Sequence, residues 1–149
     1  METIVFTNQE QALTDSDLQA FEKLINAKLP PDFIDFYRQH NGGIPQNAKY
    51  SWGDELVVPL KGFYPITHGK ETIESKLAAF KAQGVDFGNK IPFAWNRSEF
   101  LFGFSVSPDD YGYIYSWKPK FPEKLTGEFT YHCSNLKTML DGLSMRFTK

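Results

Sequence analysis

Three histidines, one cysteine and two pairs of adjacent acids are the side chains through which this 149-residue chain could do chemistry. His40, His68 and His132 share no metal-ligand spacing, and only His132-Cys133 are neighbours. A cysteine nucleophile needs a histidine base within hydrogen-bond reach. Neighbours on a strand point to opposite faces, so this pair reads as sheet residues, with Cys133 in the core. His40 sits on the last turn of an apolar helix and reads as a hydrogen-bond donor at the helix end. Asp109-Asp110 could serve acid–base work or a metal, but it stands inside Ser107-Pro-Asp-Asp-Tyr-Gly112, which is turn chemistry. Asp54-Glu55 lies close to Trp52, and an aromatic anchor rimmed by acids is the composition of an interaction surface. Asn41-Gly42-Gly43 follows a helix, so its amides make a helix stop and not a phosphate cradle. The expectation is a protein without a catalytic set, metal or cofactor.

The elements that position these residues are legible in part. Leu29-Pro-Pro-Asp-Phe-Ile-Asp-Phe-Tyr-Arg-Gln-His-Asn-Gly-Gly43 carries a whole helix with its signals. Pro31 suits the first turn, Asn41-Gly42-Gly43 accepts left-handed angles, and Phe33, Phe36, Tyr37 and His40 recur at i, i+3, i+4, i+7. Before it, Thr14-Asp-Ser-Asp17 reads as an N-cap for a helix over about 15–27, with Leu18, Phe21, Leu24 and Ile25 at helical spacing. A third helix is expected over about 70–83, with Ile73, Leu77 and Phe80 on one face and Gly84 as its stop. A last helix follows Ser134, with Leu136, Met139, Leu140 and Leu143 facing inward.

Between the helices lie strands. Leu56–Leu60 and Phe63–Ile66 read as strand pieces interrupted by Pro59 and Gly62, at a sheet edge or a bulge. Ile91–Trp95, Phe100–Val106 and Tyr113–Trp117 form an antiparallel meander, since their short separators leave no room for crossover helices. Phe129–Cys133 adds another strand, and Ile44–Glu55 reads as a polar loop holding two large rings. The sum is an α+β single domain: a twisted, mainly antiparallel sheet with helices packed mostly on one face. Apolar residues on both sides of the meander require cover on both, part of which a partner could supply.

Composition narrows the function. The 14 Phe, 7 Tyr and 3 Trp exceed what a core of this size needs, which leaves rings for a surface. A net charge of −2 offers no basic surplus for nucleic acid, although residues 1–75 carry −5 and residues 76–149 carry +3. The N-terminus lacks a signal-peptide pattern, no apolar run reaches the roughly 18 residues of a membrane helix, and a single cysteine suits a reducing compartment. A cytoplasmic protein is expected.

The Leu29–Gly43 helix closely resembles the opening signature of the SUKH superfamily in its Smi/Knr-like branch, a Leu-Pro-x-x-(aromatic or aliphatic) helix ending in Asn-Gly-Gly. Ile91–Trp95, Phe100–Val106 and Gly112-Tyr-Ile-Tyr-Ser-Trp117 follow in the order that this family's central strands take, and the resemblance covers about residues 14–143. It implies an α+β domain that in bacteria commonly serves as an immunity protein, binding and neutralising a secreted polymorphic or contact-dependent toxin. In yeast, relatives act as cell-wall-assembly regulators. Gln46 to Asp54 departs from the pattern, and such segments vary with the partner.

The expected function is therefore occlusion of one cognate toxin protein, with Tyr50, Trp52, Asp54 and Glu55, and Asp109, Asp110 and Tyr111, as partner contacts. A regulatory or scaffolding module without a toxin is the alternative, and a small hydrolase using Asp109 and Asp110 or His132 is a third reading. Self-association through an uncovered sheet face or edge stays open.

Overall fold

A computed structural model describes residues 6–7, 9–45, 49–52, 56–84, 89–96, 101–117, 129–141 and 143–144. Their elements run β1 (Phe6–Thr7), α1 (Asp15–Ile25), α2 (Pro31–Gln39), β2 (Ile44–Pro45), β3 (Lys49–Trp52) and β4 (Leu56–Phe63). Then come α3 (Ile73–Ala82), β5 (Lys90–Asn96), β6 (Leu101–Ser105), a 3-10 turn (Pro108–Asp110), β7 (Ile114–Trp117), β8 (Phe129–Cys133), α4 (Leu136–Asp141) and β9 (Leu143–Ser144).

The helix signals act as their chemistry dictates. At the start of α1, Thr14 Oγ1 accepts from the Asp17 amide at 3.1 Å and the Asp17 carboxylate accepts from the Thr14 amide at 3.0 Å, a reciprocal cap. Thr72 and Ser75 make the same exchange at the start of α3. Pro31 opens α2, and Gly42, at φ +79°, turns the chain after it. A Cβ on Gly42 would stand 2.8 Å from the Pro65 nitrogen, so this corner needs glycine for space as well as for backbone angle. Two details differ from the sequence reading. The α4 cap is Asn135, whose Oδ1 accepts from the Thr138 amide at 2.7 Å, in place of Ser134. Leu143 lies beyond the helix on β9, drawn into strand pairing with Tyr50.

The sheet is antiparallel throughout, in the order β8-β7-β6-β5-β4, and the same order continues through β3 to β9. β4 is one strand and not two pieces. It lies inside the sheet, its first half pairing with β3 and its end with β5, and the expected bulge falls between Leu60 and Gly62. Pairing with β5 begins at Leu60, so the missing N–H of Pro59 falls where the strand changes partner, which lets proline stand away from an edge. The supposed loop after Gly43 contains β2 and β3. The β1–β2 ribbon joins the main sheet where Gly43 and Phe63 exchange two backbone hydrogen bonds.

Most helices pack on one face. Phe33 of α2 meets Phe104 at 3.9 Å and Phe93 at 5.0 Å between ring centroids, and Phe36 meets Phe63 at 5.0 Å. α4 buries Leu136 and Met139, and the Asp32 carboxylate of α2 accepts from the Lys137 amide at its start. α1 is tied to α2 by Arg38 on Asp15 and buries Leu18 and Phe21, whereas Leu24, expected inward, is 58% exposed. α3 packs on the opposite face: Phe80 stands edge-on to Trp117, whose register partner Leu101 alternates with Phe102 and Phe104. The chain thus supplies cover for one end of the second sheet face.

Candidate partner-binding surface

Register places the side chains of that second face in rows across the strands. Trp95, Leu101, Trp117 and Phe129 form the row that includes the Phe80 contact. Pro92, Gly103, Tyr115 and Tyr131 form the next, and Lys90 pairs with Ser105 in a third. The rings of Tyr113 and Tyr115 lie 5.3 and 6.0 Å from that of Tyr131, which is 48% exposed in mid-strand. Lys90 Nζ lies 4.8 Å from the centre of the Tyr115 ring and 4.6 Å from that of Phe129, bringing a cation among these rings.

Asp110 fixes the edge of this platform. Its carboxylate accepts from the Ser105 hydroxyl and from the Tyr115 hydroxyl, each at 2.5 Å. Burial opposes ionisation of Asp110, but those two hydroxyls and the charge of Lys90 outweigh it and hold the carboxyl below its ordinary range. Desolvation, reinforced by the bond to Asp110, pushes the Tyr115 hydroxyl up to about 12. At neutral pH Tyr115 is therefore neutral and held by an ionised carboxylate, which leaves the platform a surface with aromatic area and polar tips.

The expected contacts divide. Asp110 belongs to the platform, and Asp109 is exposed on the same turn. Tyr111 reaches elsewhere: its hydroxyl donates to the Lys28 carbonyl at 2.6 Å, latching the turn to the α1–α2 connection. Tyr50 and Trp52 lie on β3, opposite Val58 and Leu56. Three strands intervene between β3 and β7, a separation of roughly 19 Å at ordinary strand spacing. Asp54 and Glu55 lie outside the described residues.

Sequence reasoning did not single out Tyr113, Tyr115, Tyr131 and Lys90. The signal was there, since Tyr113 and Tyr115 stand two apart on a strand and therefore share a face. The three histidines sit apart, each with its own partner: His40 with Gln9, His68 with Asp17 at 3.1 Å, and His132 with the Ser116 hydroxyl at 2.8 Å. Strict alternation fails at His132-Cys133, where a bulge in β8 lets both side chains be buried. Among the described residues, no three of the His, Cys, Asp and Glu side chains form a group that could hold a metal ion.

The chain thus runs through a Pro-started helix ending at Asn41-Gly42-Gly43, an antiparallel meander and a closing helix. The sequence model of the SMI1 / KNR4 family (SUKH-1) matches residues 12–142. The chain belongs to the SMI1/KNR4 family. No curated protein matches it in sequence. In this SUKH-1 chain the family helix is scaffold, since Phe33, Phe36 and Tyr37 are buried and the Tyr37 hydroxyl donates to the Tyr64 carbonyl at 2.9 Å. The SUKH-1 platform of tyrosines lies on the sheet face opposite α2. Among the described residues, no helix is long and apolar enough to cross a membrane.

Proposed function

We propose that this SUKH-1 protein is a non-enzymatic, cytoplasmic immunity protein that binds one cognate secreted polymorphic or contact-dependent toxin and neutralises it by occlusion. The observation that carries the reading is the cluster of exposed Tyr131 with half-buried Tyr113 and Tyr115 on a sheet face opposite the family helix. An exposed tyrosine braced by two half-buried ones loses little conformational freedom on binding and supplies large contact area, the properties of an interface anchor. Asp110 and Lys90 add polar contacts at fixed positions, and Asp109 contributes a charge on the neighbouring turn. The mechanism is steric and electrostatic, with the platform set against the toxin's active site or a surface beside it.

The test is co-expression with the protein encoded beside this gene, followed by size-exclusion chromatography and a growth-protection assay. The expected result is a stable complex, protection from that protein's toxicity, and loss of both on Tyr131→Ser combined with Tyr113→Ser. A neighbour that is not toxic, or a toxic one that forms no complex, overturns the reading.

A further inference from the structure

Among the described residues, Asn26 and Thr67 are the non-glycine positions with positive φ. Asn26 caps α1, and asparagine tolerates that conformation. Thr67, at φ +62°, is β-branched, and its crowded Cβ makes the left-handed region costly. Across it the His68 amide donates to the Ile66 carbonyl at 2.6 Å, which closes a γ-turn of the rare, strained hand. Such a conformation persists where its surroundings over-determine it. Here the Glu74 carboxylate, in the first turn of α3, grips Thr67 with both oxygens, accepting from its amide at 2.9 Å and from its hydroxyl at 2.8 Å. His68 reaches α1, where its Nε2 lies 3.1 Å from the Asp17 oxygen that also accepts from the Thr14 amide. The feet of this loop are fixed separately. Asn41 bonds both backbone groups of buried Ile66, and the amide of buried Ile73 donates to the Pro65 carbonyl at 2.8 Å. Between these anchors, residues 67–71 are exposed or half-buried, so water can replace each bond that holds the strained turn.

We propose that residues 67–71 form a two-state strap, latched by Glu74 on the strained turn at Thr67 and released without unfolding of the domain. Breaking the Glu74 grip removes what offsets the backbone strain, so Thr67 relaxes and His68 leaves Asp17 with it. The strain held in the closed turn makes release easier than the loss of the same bonds from a relaxed loop. Gly69, Lys70 and Glu71 border a cleft of about 520 Å³, together with Glu10 and the stacked rings of Tyr64 and Trp95, whose centroids are 4.6 Å apart. Release of the strap takes one border off this cleft and widens it. The proposal does not depend on the immunity reading.

The experiment is amide hydrogen exchange of the full chain followed by NMR, under conditions in which reclosing outruns exchange. The Thr67 and His68 amides should share one protection factor, lower than those of Ile66 and Ile73 at the feet. His68 is the deciding reporter, because its amide bonds the Ile66 carbonyl and does not touch Glu74. Glu74→Ala should lower the protection of His68 roughly tenfold, the scale of lost bonds to a charged group, and leave Ile73 unchanged. Thr67→Ser keeps the hydroxyl that Glu74 accepts from and sheds the branch, so it should raise the protection of His68 roughly two- to fivefold by easing the strain. Unchanged protection of His68 in the Glu74→Ala protein, lower protection in Thr67→Ser, or exchange of Ile66 and Ile73 together with Thr67 overturns the proposal.

Discussion

The Asn41 carboxamide pairs with the backbone of Ile66 as a strand residue would. Its Oδ1 accepts from the Ile66 amide at 2.7 Å while its Nδ2 donates to the Ile66 carbonyl at 3.0 Å. The same Nδ2 donates to the Gln11 carbonyl at 2.8 Å, and Asn41 is buried. One side chain thus ties the end of α2 to the segment after β4 and to the chain entering α1. The asparagine of the Asn-Gly-Gly signature is therefore a cross-brace, and the left-handed turning belongs to Gly42 and Gly43.

Replacing Asn41 by Ala leaves the buried amide and carbonyl of Ile66, and the partly buried carbonyl of Gln11, without their partner. A loss of about 2–4 kcal/mol is expected, read as a lower urea midpoint at unchanged slope. Asn41→Asp should be at least as damaging at neutral pH, because a carboxylate oxygen replaces the donor facing the Gln11 and Ile66 carbonyls. Part of the loss should return on acidification, as the protonated acid regains one donor.

His132 makes stability depend on pH. Burial holds its imidazole down at about 4, against an ordinary value of 6.5. Between these values the unfolded chain binds a proton that the folded chain refuses, so its contribution is complete above about pH 6.5 and is lost as pH falls toward 4. The loss should approach about 2 kcal/mol after allowing for partial solvent screening, measured as the urea midpoint across that range. His132→Gln should flatten this part of the profile.

Gly62 lies against the indole of Trp95, and a Cβ there would overlap the ring atoms Cη2 and Cζ2. Gly62→Ala should displace Trp95 from its stack on Tyr64 and cost about 1–3 kcal/mol, the usual cost of overpacking. Near-UV circular dichroism should change together with the urea midpoint.

Tyr131 and Leu24 are both exposed, on the platform and on α1 respectively. Under the proposed function, Tyr131→Ser should weaken toxin binding about tenfold or more, as loss of an aromatic anchor does, whereas Leu24→Ser should leave affinity unchanged. Each should shift stability by less than about 1 kcal/mol. Calorimetric titration of both variants checks this pair, and equal losses would place the contact elsewhere.

Where local chemistry decides the structure, the sequence was readable. The Thr14 cap, the Pro31 start, the buried stripe of Phe33, Phe36 and Tyr37, and the three meander strands all follow from cap preference, periodicity and turn residues. Leu24 fits the helical period and is exposed nonetheless, because the period says which residues share a face and not how wide the buried stripe is. β3 and β9 escaped notice for a different reason. Lys49–Trp52 and Leu143-Ser144 become strands by pairing with each other and, for β3, with β4, and four or two residues carry too little pattern to announce it. Asp110 was legible as a turn acid, but its role as a brace for Tyr115 depends on a fold-level juxtaposition. Tyr131 enters the same patch only because β8 pairs with β7.

The pairing of Tyr50 with Leu143 sets an order of assembly. β5, β6 and β7 follow one another closely in sequence and can associate early, whereas β9 must wait until nearly the whole C-terminal two-thirds of the chain has been gathered. The sheet should therefore mature from the tyrosine platform outward, with the end that carries Tyr50 and Trp52 sealed last. In hydrogen exchange, the β3–β9 amides should open without global unfolding, while those of β6 exchange only when the whole domain does.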